Sequence, residues 1–138
     1  MLREENPMTE AQARLLSPLQ LAYIGDTVWD LLVRCRLLWQ GRNVHHMHQE
    51  AVRHVNAAAQ CDALHRIEAL LTPEENAIAH RGRNAHPRHH APKNQQVTDY
   101  AAATGLEAVI GYLHVTGQEE RLLSLFRASQ EEENPCPQ

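Results

Sequence analysis

Apolar side chains recur along this chain at the spacing of α-helices, and the longest apolar stretch dominates the pattern. It reads LQLAYIGDTVWDLLVRCRLLW and begins at Leu19. Ser17 can cap this helix, Pro18 suits its first position and Gly41 suits its end. Because apolar residues lie on nearly every side of the stretch, we predict a helix over residues 18–40 that is buried on most sides.

Five further helices are predicted by the same periodicity and by capping residues such as Thr9, Asn43 and Thr98. They cover residues 10–16, 44–71, 73–83, 99–115 and 119–130. Helix-forming residues dominate, and no stretch shows the alternation of a strand, so the sequence predicts an all-α fold. The segment 84–96 contains two prolines and is predicted to be a long loop, a kind of segment that often has a function.

The length of 138 residues suits one domain with a core of its own. We interpret residues 10–130 as that domain, residues 1–9 as a loose N-terminal segment and residues 131–138 as a disordered acidic tail. Charges interrupt every apolar stretch, so no membrane span is expected. The three cysteines are far apart and no basic-then-apolar leader is present, so we expect reduced thiols and a cytoplasmic location.

The charge distribution contains one basic region on an otherwise acidic chain. The net charge is −4, but residues 76–98 include three arginines and one lysine and no acid, which leaves −8 for the remainder. Such a region can bind phosphates, and a solvated loop without a binding role is the alternative. Histidines occur there and near residue 45. Because no cysteine or HExxH spacing accompanies them, we interpret them as solvated or phosphate-facing and not as zinc ligands.

Two carboxylates stand out because apolar residues surround them in helical stretches. In the long helix Asp26, Asp30 and Arg34 share one stripe, since they are spaced by four residues. Glu107 lies in the second stretch, TGLEAVIGYL. A carboxylate in a core helix is costly unless it is paired or bound to a metal. The plainer interpretation of the stripe is an Asp30–Arg34 ion pair with Asp26 at a solvated edge.

Glycines flank both carboxylates and indicate how the two helices pack. Gly25 precedes Asp26, and Gly105 and Gly111 bracket Glu107. A glycine inside a helix is unfavourable by about 1 kcal/mol relative to alanine, so a packing reason is expected. We predict that the two helices cross closely near Asp26 and Glu107. Two carboxylates brought together without a basic partner suit a hard divalent cation such as Mg²⁺.

The stretch LAYIGDTVWDLLVR resembles the signature helix of the ribonuclease III superfamily, which is usually written around LEFLGD. The stretches RGRNA (81–85), PKN (92–94) and TGLEAVIGYL (104–113) resemble one branch of it, the Mini-III ribonucleases. The resemblance extends over about residues 17–127. It implies a homodimeric helical bundle like the ribonuclease III catalytic domain, without a separate double-stranded-RNA-binding domain.

The resemblance also implies an activity and a set of site residues. The expected activity is Mg²⁺-dependent endonucleolytic cleavage of double-stranded RNA, which leaves 5′-phosphate ends, in maturation of the 23S ribosomal RNA precursor. Asp26 and Glu107 match the family's catalytic, metal-binding acids. Tyr23 matches an aromatic residue at the family's dimer interface. Other acids of the superfamily correspond here to Leu19, Ala22 and Thr104, so fewer direct ligands are expected, and the number of metal ions in each site stays open.

RNA contacts are expected from the basic region, because A-form RNA is recognised mainly through its shape, phosphates and 2′-hydroxyls. The candidates are Arg81, Arg83, Asn84, Lys93 and Asn94. Two other functions remain open from the residues. The chain can be a non-catalytic homologue that binds double-stranded RNA, since several superfamily acids are missing. It can also be a helical scaffold whose basic loop binds an acidic protein.

Overall fold

The computed structural model describes residues 5–41, 43–85 and 96–130, and the regular structure within them is entirely helical. The elements are α1 (Glu10–Arg14), α2 (Pro18–Trp39), α3 (Val44–Val55), α4 (Ala57–Ile67), a 3₁₀ turn (Glu68–Leu70), α5 (Pro73–Arg83), α6 (Gln96–Val115) and α7 (Glu119–Gln130). The all-α prediction is confirmed. The predicted tail, residues 131–138, lies outside the described residues. None of the described helices is both long and apolar enough to cross a lipid bilayer.

The helix starts follow from local capping chemistry. At the start of α2 the Ser17 hydroxyl accepts from the Gln20 amide at 3.1 Å, and the Gln20 side chain accepts from the Ser17 amide at 2.8 Å. Pro18 occupies the first turn, and Gly41, with a φ of 77°, follows the end of the helix. This arrangement satisfies amides that a helix N-terminus leaves without partners. The start and end predicted for this helix are therefore confirmed.

Helix α6 lies at the centre of the bundle, where it packs against α2, α4, α5 and α7. Its buried residues are Ala102, Ala103, Leu106, Ala108, Val109, Ile110, Tyr112 and Leu113. The prediction that α2 is buried on most sides is wrong for the single chain, in which Tyr23 is 83% exposed and Trp39 is 87% exposed. The reason is that α2 lies at the periphery and turns only one side towards α6.

Two predicted helix boundaries are also wrong. The helix predicted over residues 44–71 is interrupted at Asn56, whose backbone is extended and whose side-chain oxygen accepts from the Ala59 amide at 2.8 Å. Asn56 therefore caps α4 and redirects the chain. Helix α6 begins at Gln96, so Thr98 lies within its first turn and is not its N-cap. Glutamine is a good helix former, so the residues before Thr98 can continue the helix upstream.

Trp29 holds α2 in place one turn after Asp26. Its ring is 1% exposed and packs edge-to-face on Phe126 of α7, with ring centroids 5.2 Å apart. Its indole N–H donates to the backbone carbonyl of His54, at the end of α3, over 3.3 Å. Because a buried aromatic side chain contributes a large apolar contact area, these contacts fix the part of α2 that carries Asp26.

Candidate active site

Helices α2 and α6 cross in direct backbone contact, and the contact is made by glycines. A Cβ atom added to Gly25 would lie 1.8 Å from the carbonyl oxygen of Glu107. A Cβ atom added to Gly111 would lie 1.9 Å from the carbonyl oxygen of Leu21. No side chain fits at either position, so the two glycines set the separation of the helices. The predicted close crossing is confirmed, and it brings Asp26 against Glu107.

Gly105 has a different role from the one predicted. A Cβ atom on Gly105 would lie 2.7 Å from the Ala79 carbonyl oxygen, and one on Gly82 would lie 2.8 Å from the Gly105 Cα. Gly105 therefore allows α5, not α2, to approach α6. Gly111 follows Gly105 by six positions, a rotation of about 600° along the helix, so the two glycines lie about 120° apart and face different neighbours.

The two carboxyl groups at the crossing differ in their surroundings. Asp26 is exposed, whereas Glu107 is partly buried. Burial, together with the charge of Asp26 and a hydrogen bond with Asp26, raises the pKa of Glu107 to about 8, and the hydrogen bond from Gln60 acts in the opposite direction. Without a cation, Glu107 therefore retains its proton at neutral pH beside Asp26.

Gln60 is a site residue that the sequence analysis missed. It is 2% exposed, and its Nε2 donates to Oε2 of Glu107 over 3.2 Å. A single helix over residues 44–71, as predicted, gives no reason to place Gln60 near Glu107. The available signal was Asn56 followed by three alanines, since asparagine is a preferred N-cap residue.

The ion pair predicted one turn beyond Asp26 is present. Arg34 Nε lies 3.2 Å from an Asp30 carboxylate oxygen, and both side chains are substantially exposed. Asp26, Thr27, Asp30, Arg34 and Val55 line one open cleft. The plainer interpretation of this stripe is therefore correct for Asp30 and Arg34. It is incomplete for Asp26, which also contacts Glu107.

The residues at the crossing fit a hard divalent cation with few protein ligands. Among the described residues no group of three or more His, Cys, Asp or Glu side chains is arranged to hold a metal ion. Two carboxylates at an exposed edge still suit Mg²⁺, which keeps several waters and commonly binds one or two carboxylates together with substrate phosphate. Leu19 is half-exposed, Ala22 is buried, and the Thr104 hydroxyl donates to the Tyr100 carbonyl at 3.0 Å, so these positions add no carboxylate.

The basic candidates of α5 are not brought together with the carboxylates. Arg81 donates to the carbonyl of Leu16 at 3.3 Å, and Arg83 lies 2.6 Å from Glu68. The Asn84 amide lies 3.2 Å from a ring nitrogen of His80. These residues belong to α5 and its C-terminal end, and α5 packs on α6 at the side where Gly105 lies. Lys93 and Asn94 lie outside the described residues.

Tyr23, the predicted interface residue, lies on the exposed side of α2. It is 83% exposed, and Leu19, one turn earlier, is 46% exposed. Leu31 and Leu38 are exposed further along the same helix, at 47% and 61%. In the single chain, α2 therefore presents several large apolar side chains to solvent.

Comparison with known proteins agrees with this fold. A family model described as "Ribonuclease III domain" matches residues 19–118, which include both Asp26 and Glu107. A crystal structure of a protein from Fusobacterium nucleatum superposes with a TM-score of 0.72 at 31% identity. The match covers 80% of this chain and 88% of that one. The helical bundle is therefore a ribonuclease III domain.

Curated relatives define the branch of the family. A Mini-ribonuclease 3 from Symbiobacterium thermophilum is 43% identical over 129 residues, which is 93% of this chain and 94% of that protein. A Mini-ribonuclease 3 from Thermoanaerobacter sp. is 41% identical over 123 residues, covering 88% of this chain and 86% of that protein. The chain belongs to the Mini-ribonuclease 3 family.

Membership of this family makes the chain an endoribonuclease, as the resemblance of its motifs implies. Ribonuclease III enzymes act on double-stranded RNA and generally depend on a divalent metal ion. The predicted family and enzyme class are therefore confirmed.

Proposed function

We propose that this endoribonuclease cleaves double-stranded RNA at the Asp26–Glu107 pair with Mg²⁺ as its cofactor, and that it acts in the cytoplasm on the precursor of 23S ribosomal RNA. The main support is the contact between the two carboxyl groups where α2 and α6 cross at Gly25 and Gly111. A carboxyl pair with no basic partner is unfavourable in a fold unless it serves a purpose such as cation binding.

Each carboxyl group has a distinct task in this proposal. Asp26 and Glu107 would hold the cation, which when bound polarises the scissile phosphate and lowers the pKa of the attacking water. Glu107 must release its proton before both carboxylates can bind a cation, because metal ligands are deprotonated. Asp26 lies at the open cleft, where a phosphate of the RNA can approach. The backbone contact at Gly25 keeps the spacing of the two groups constant.

A homodimer would place two such sites on one duplex. The exposed apolar residues of α2, with Tyr23 among them, form a surface that a second copy can cover. A twofold dimer has two equivalent sites, one for each RNA strand. Cleavage of both strands then follows from symmetry and does not require a second site within one chain.

The basic region supplies the proposed RNA contacts outside the carboxylate pair. Arg81, Arg83 and Asn84 lie at the end of α5, and Lys93 and Asn94 follow in sequence. Arg81 and Arg83 already bond within the protein, so each would exchange or share that bond with a phosphate. Phosphate contacts of this kind position an RNA duplex without reading its sequence.

Cleavage of a long RNA duplex by the purified protein in Mg²⁺ tests the proposal. Wild type should cut, whereas Asp26→Asn and Glu107→Gln should lose roughly a hundredfold or more of the rate and still bind the duplex. Asp62→Asn, which removes an exposed carboxylate from α4, is the matched control and should cut normally.

The outcomes separate the proposal from its alternatives. A variant of Asp26 or Glu107 that cuts at the wild-type rate would refute the role of that residue. Duplex binding by wild type without cleavage would favour a binding homologue, and neither activity would favour a protein-docking scaffold. If the protein cuts an unrelated duplex and a duplex from the 23S precursor at equal rates, a dedicated ribosomal substrate loses its support.

A further inference from the structure

Gln60 is a buried polar side chain that the proposed chemistry does not use. It lies in the first part of α4, where Asn56 caps the helix and directs this side of α4 towards α6. The residue is 2% exposed and donates a hydrogen bond of 3.2 Å to Oε2 of Glu107. A buried amide is unfavourable without partners, so this contact is a specific requirement of the fold at this position.

The hydrogen bond from Gln60 restricts the orientation of the Glu107 carboxylate. The terminal torsion of a glutamate side chain has no sharp preference, so a carboxylate near a backbone crossing can rotate unless a partner holds it. Gln60 occupies one oxygen of Glu107 from the α4 side, while Asp26 approaches the same carboxyl group from α2. Glu107 is thereby held between two side chains from different helices.

We infer that Gln60 is a positioning residue that holds the Glu107 carboxylate in the orientation that binds the divalent cation together with Asp26. This inference rests on the proposed role of Asp26 and Glu107 as metal ligands. Residues that hydrogen-bond to metal ligands commonly change metal affinity or activity by about 10- to 100-fold when they are replaced. Gln60 acts only through Glu107 and has no contact with RNA in this inference.

Direct binding of Mn²⁺, followed by electron paramagnetic resonance without RNA, tests the inference. Gln60→Met keeps the length of the side chain and removes the N–H donor, so it should bind Mn²⁺ about 10- to 100-fold more weakly than wild type. The Mg²⁺ concentration for half-maximal cleavage should rise by the same factor. Duplex affinity measured without metal should stay at the wild-type value.

Gln118→Met is the matched control, because it makes the same chemical change at a distance from the crossing. Gln118 donates to the Thr116 hydroxyl over 2.9 Å near the start of α7. This variant should bind Mn²⁺ like wild type. Thermal melts of both variants show whether each is folded at the assay temperature. If Gln60→Met is unfolded, Gln60→Asn replaces it; its amide is one methylene too short to reach Glu107, so the same loss of affinity is expected.

The comparison with Glu107→Gln separates this inference from the proposed function. Normal Mn²⁺ affinity in the folded Gln60 variant overturns the positioning role. The role is also overturned if Gln118→Met loses as much Mn²⁺ affinity as the Gln60 variant does. If Glu107→Gln binds Mn²⁺ poorly in that experiment, the metal site itself is retained. If Glu107→Gln binds Mn²⁺ as tightly as wild type, Glu107 is not a ligand and the proposed function fails together with the inference.

Discussion

Helices α2 and α6 have similar length and apolar content, but the fold gives them different surroundings. They contain 22 and 20 residues, and each carries one carboxyl group that faces the other helix. α6 is enclosed by several helices, whereas α2 leaves large apolar side chains such as Tyr23 and Trp39 in solvent. Apolar content therefore predicts that a helix has a partner, but it does not predict which helix occupies the centre.

The same difference explains why the two carboxyl groups are unlike. Glu107 belongs to the central helix, and burial there, together with the nearby Asp26, raises its pKa to about 8. Asp26 belongs to the peripheral helix and is exposed at an open cleft. In the proposed metal site, Glu107 would therefore be the protected ligand and Asp26 the accessible one. Such an arrangement would suit a substrate as large as an RNA duplex, which has to approach the site from outside.

The largest expected effect follows from breaking the crossing itself. Gly25→Ala places a methyl group 1.8 Å from the Glu107 carbonyl oxygen, so one helix backbone must move. Overpacking usually costs 1–3 kcal/mol, and because backbone atoms are involved we expect about 3 kcal/mol or more. Thr27→Ala, an exposed change two residues away, should stay within about 0.5 kcal/mol of wild type. Denaturant unfolding measures the stability of both variants relative to wild type. A Gly25→Ala protein of wild-type stability would show that the close crossing is not required.

Addition of Mg²⁺ tests whether both helices contribute a ligand. At a hundredfold excess over its dissociation constant, the ion should stabilise wild type by roughly 2.7 kcal/mol. Asp26→Asn, on the peripheral helix, should gain much less, and so should Glu107→Gln on the central helix. Thermal melts with Mg²⁺ and with a chelator give the comparison. An equal gain in wild type and Asp26→Asn would exclude Asp26 as a ligand.

Replacement of Tyr23 tests whether the open side of α2 is covered by a second copy. Tyr23→Asp should weaken the homodimer by about 2 kcal/mol, or roughly 30-fold in dissociation constant, if the tyrosine is a central interface residue. Leu70→Asp changes a half-exposed apolar residue that lies after α4, away from Tyr23 in the sequence, and should leave the dimer intact. Sedimentation at micromolar concentration distinguishes the species. A monomeric wild type would refute the predicted dimer.

The pH dependence of stability tests the environment of the central carboxyl group. The folded protein binds the Glu107 proton more tightly than the unfolded chain does, so stability should fall as pH rises from 4.5, the ordinary pKa of glutamate, towards about 8. In chelator, Glu107→Gln removes this penalty, so the variant should be more stable than wild type at pH 8. The difference should shrink towards pH 4.5. Asp62→Asn should show no comparable trend, and a constant difference for Glu107→Gln would contradict the assigned environment.

The smallest expected effect concerns the basic residues of α5 and of the segment that follows it in the sequence. Replacing Arg81, Arg83 and Lys93 together with alanine should weaken duplex binding and flatten its salt dependence. Each lost phosphate contact lowers the log–log slope by up to about 0.9 in the calibration for DNA. Duplex affinity measured across a series of salt concentrations gives the slope. An unchanged slope would mean that these residues do not contact RNA.

Much of the site was predictable because the sequence features that specify it involve neighbouring residues, or the contact of only two helices. Helical periodicity, the Ser17 cap and Gly41 depend on residues close in sequence, and they specify α2. Gly25 and Gly111 indicate a close crossing because a glycine inside a helix needs a packing reason. From these features the sequence predicted that Asp26 and Glu107 meet.

The sequence by itself therefore determined the helical fold, the crossing of two glycine-bearing helices and the meeting of Asp26 with Glu107. Only the tertiary structure decided that α6 is central, that α4 starts afresh at Asn56, and that Gln60 consequently reaches Glu107. The physical reason is that caps and periodicity arise from neighbouring residues, whereas burial depends on how all the helices share one core. The helix that contacts most of the others becomes the centre, and its carboxyl group acquires the buried environment.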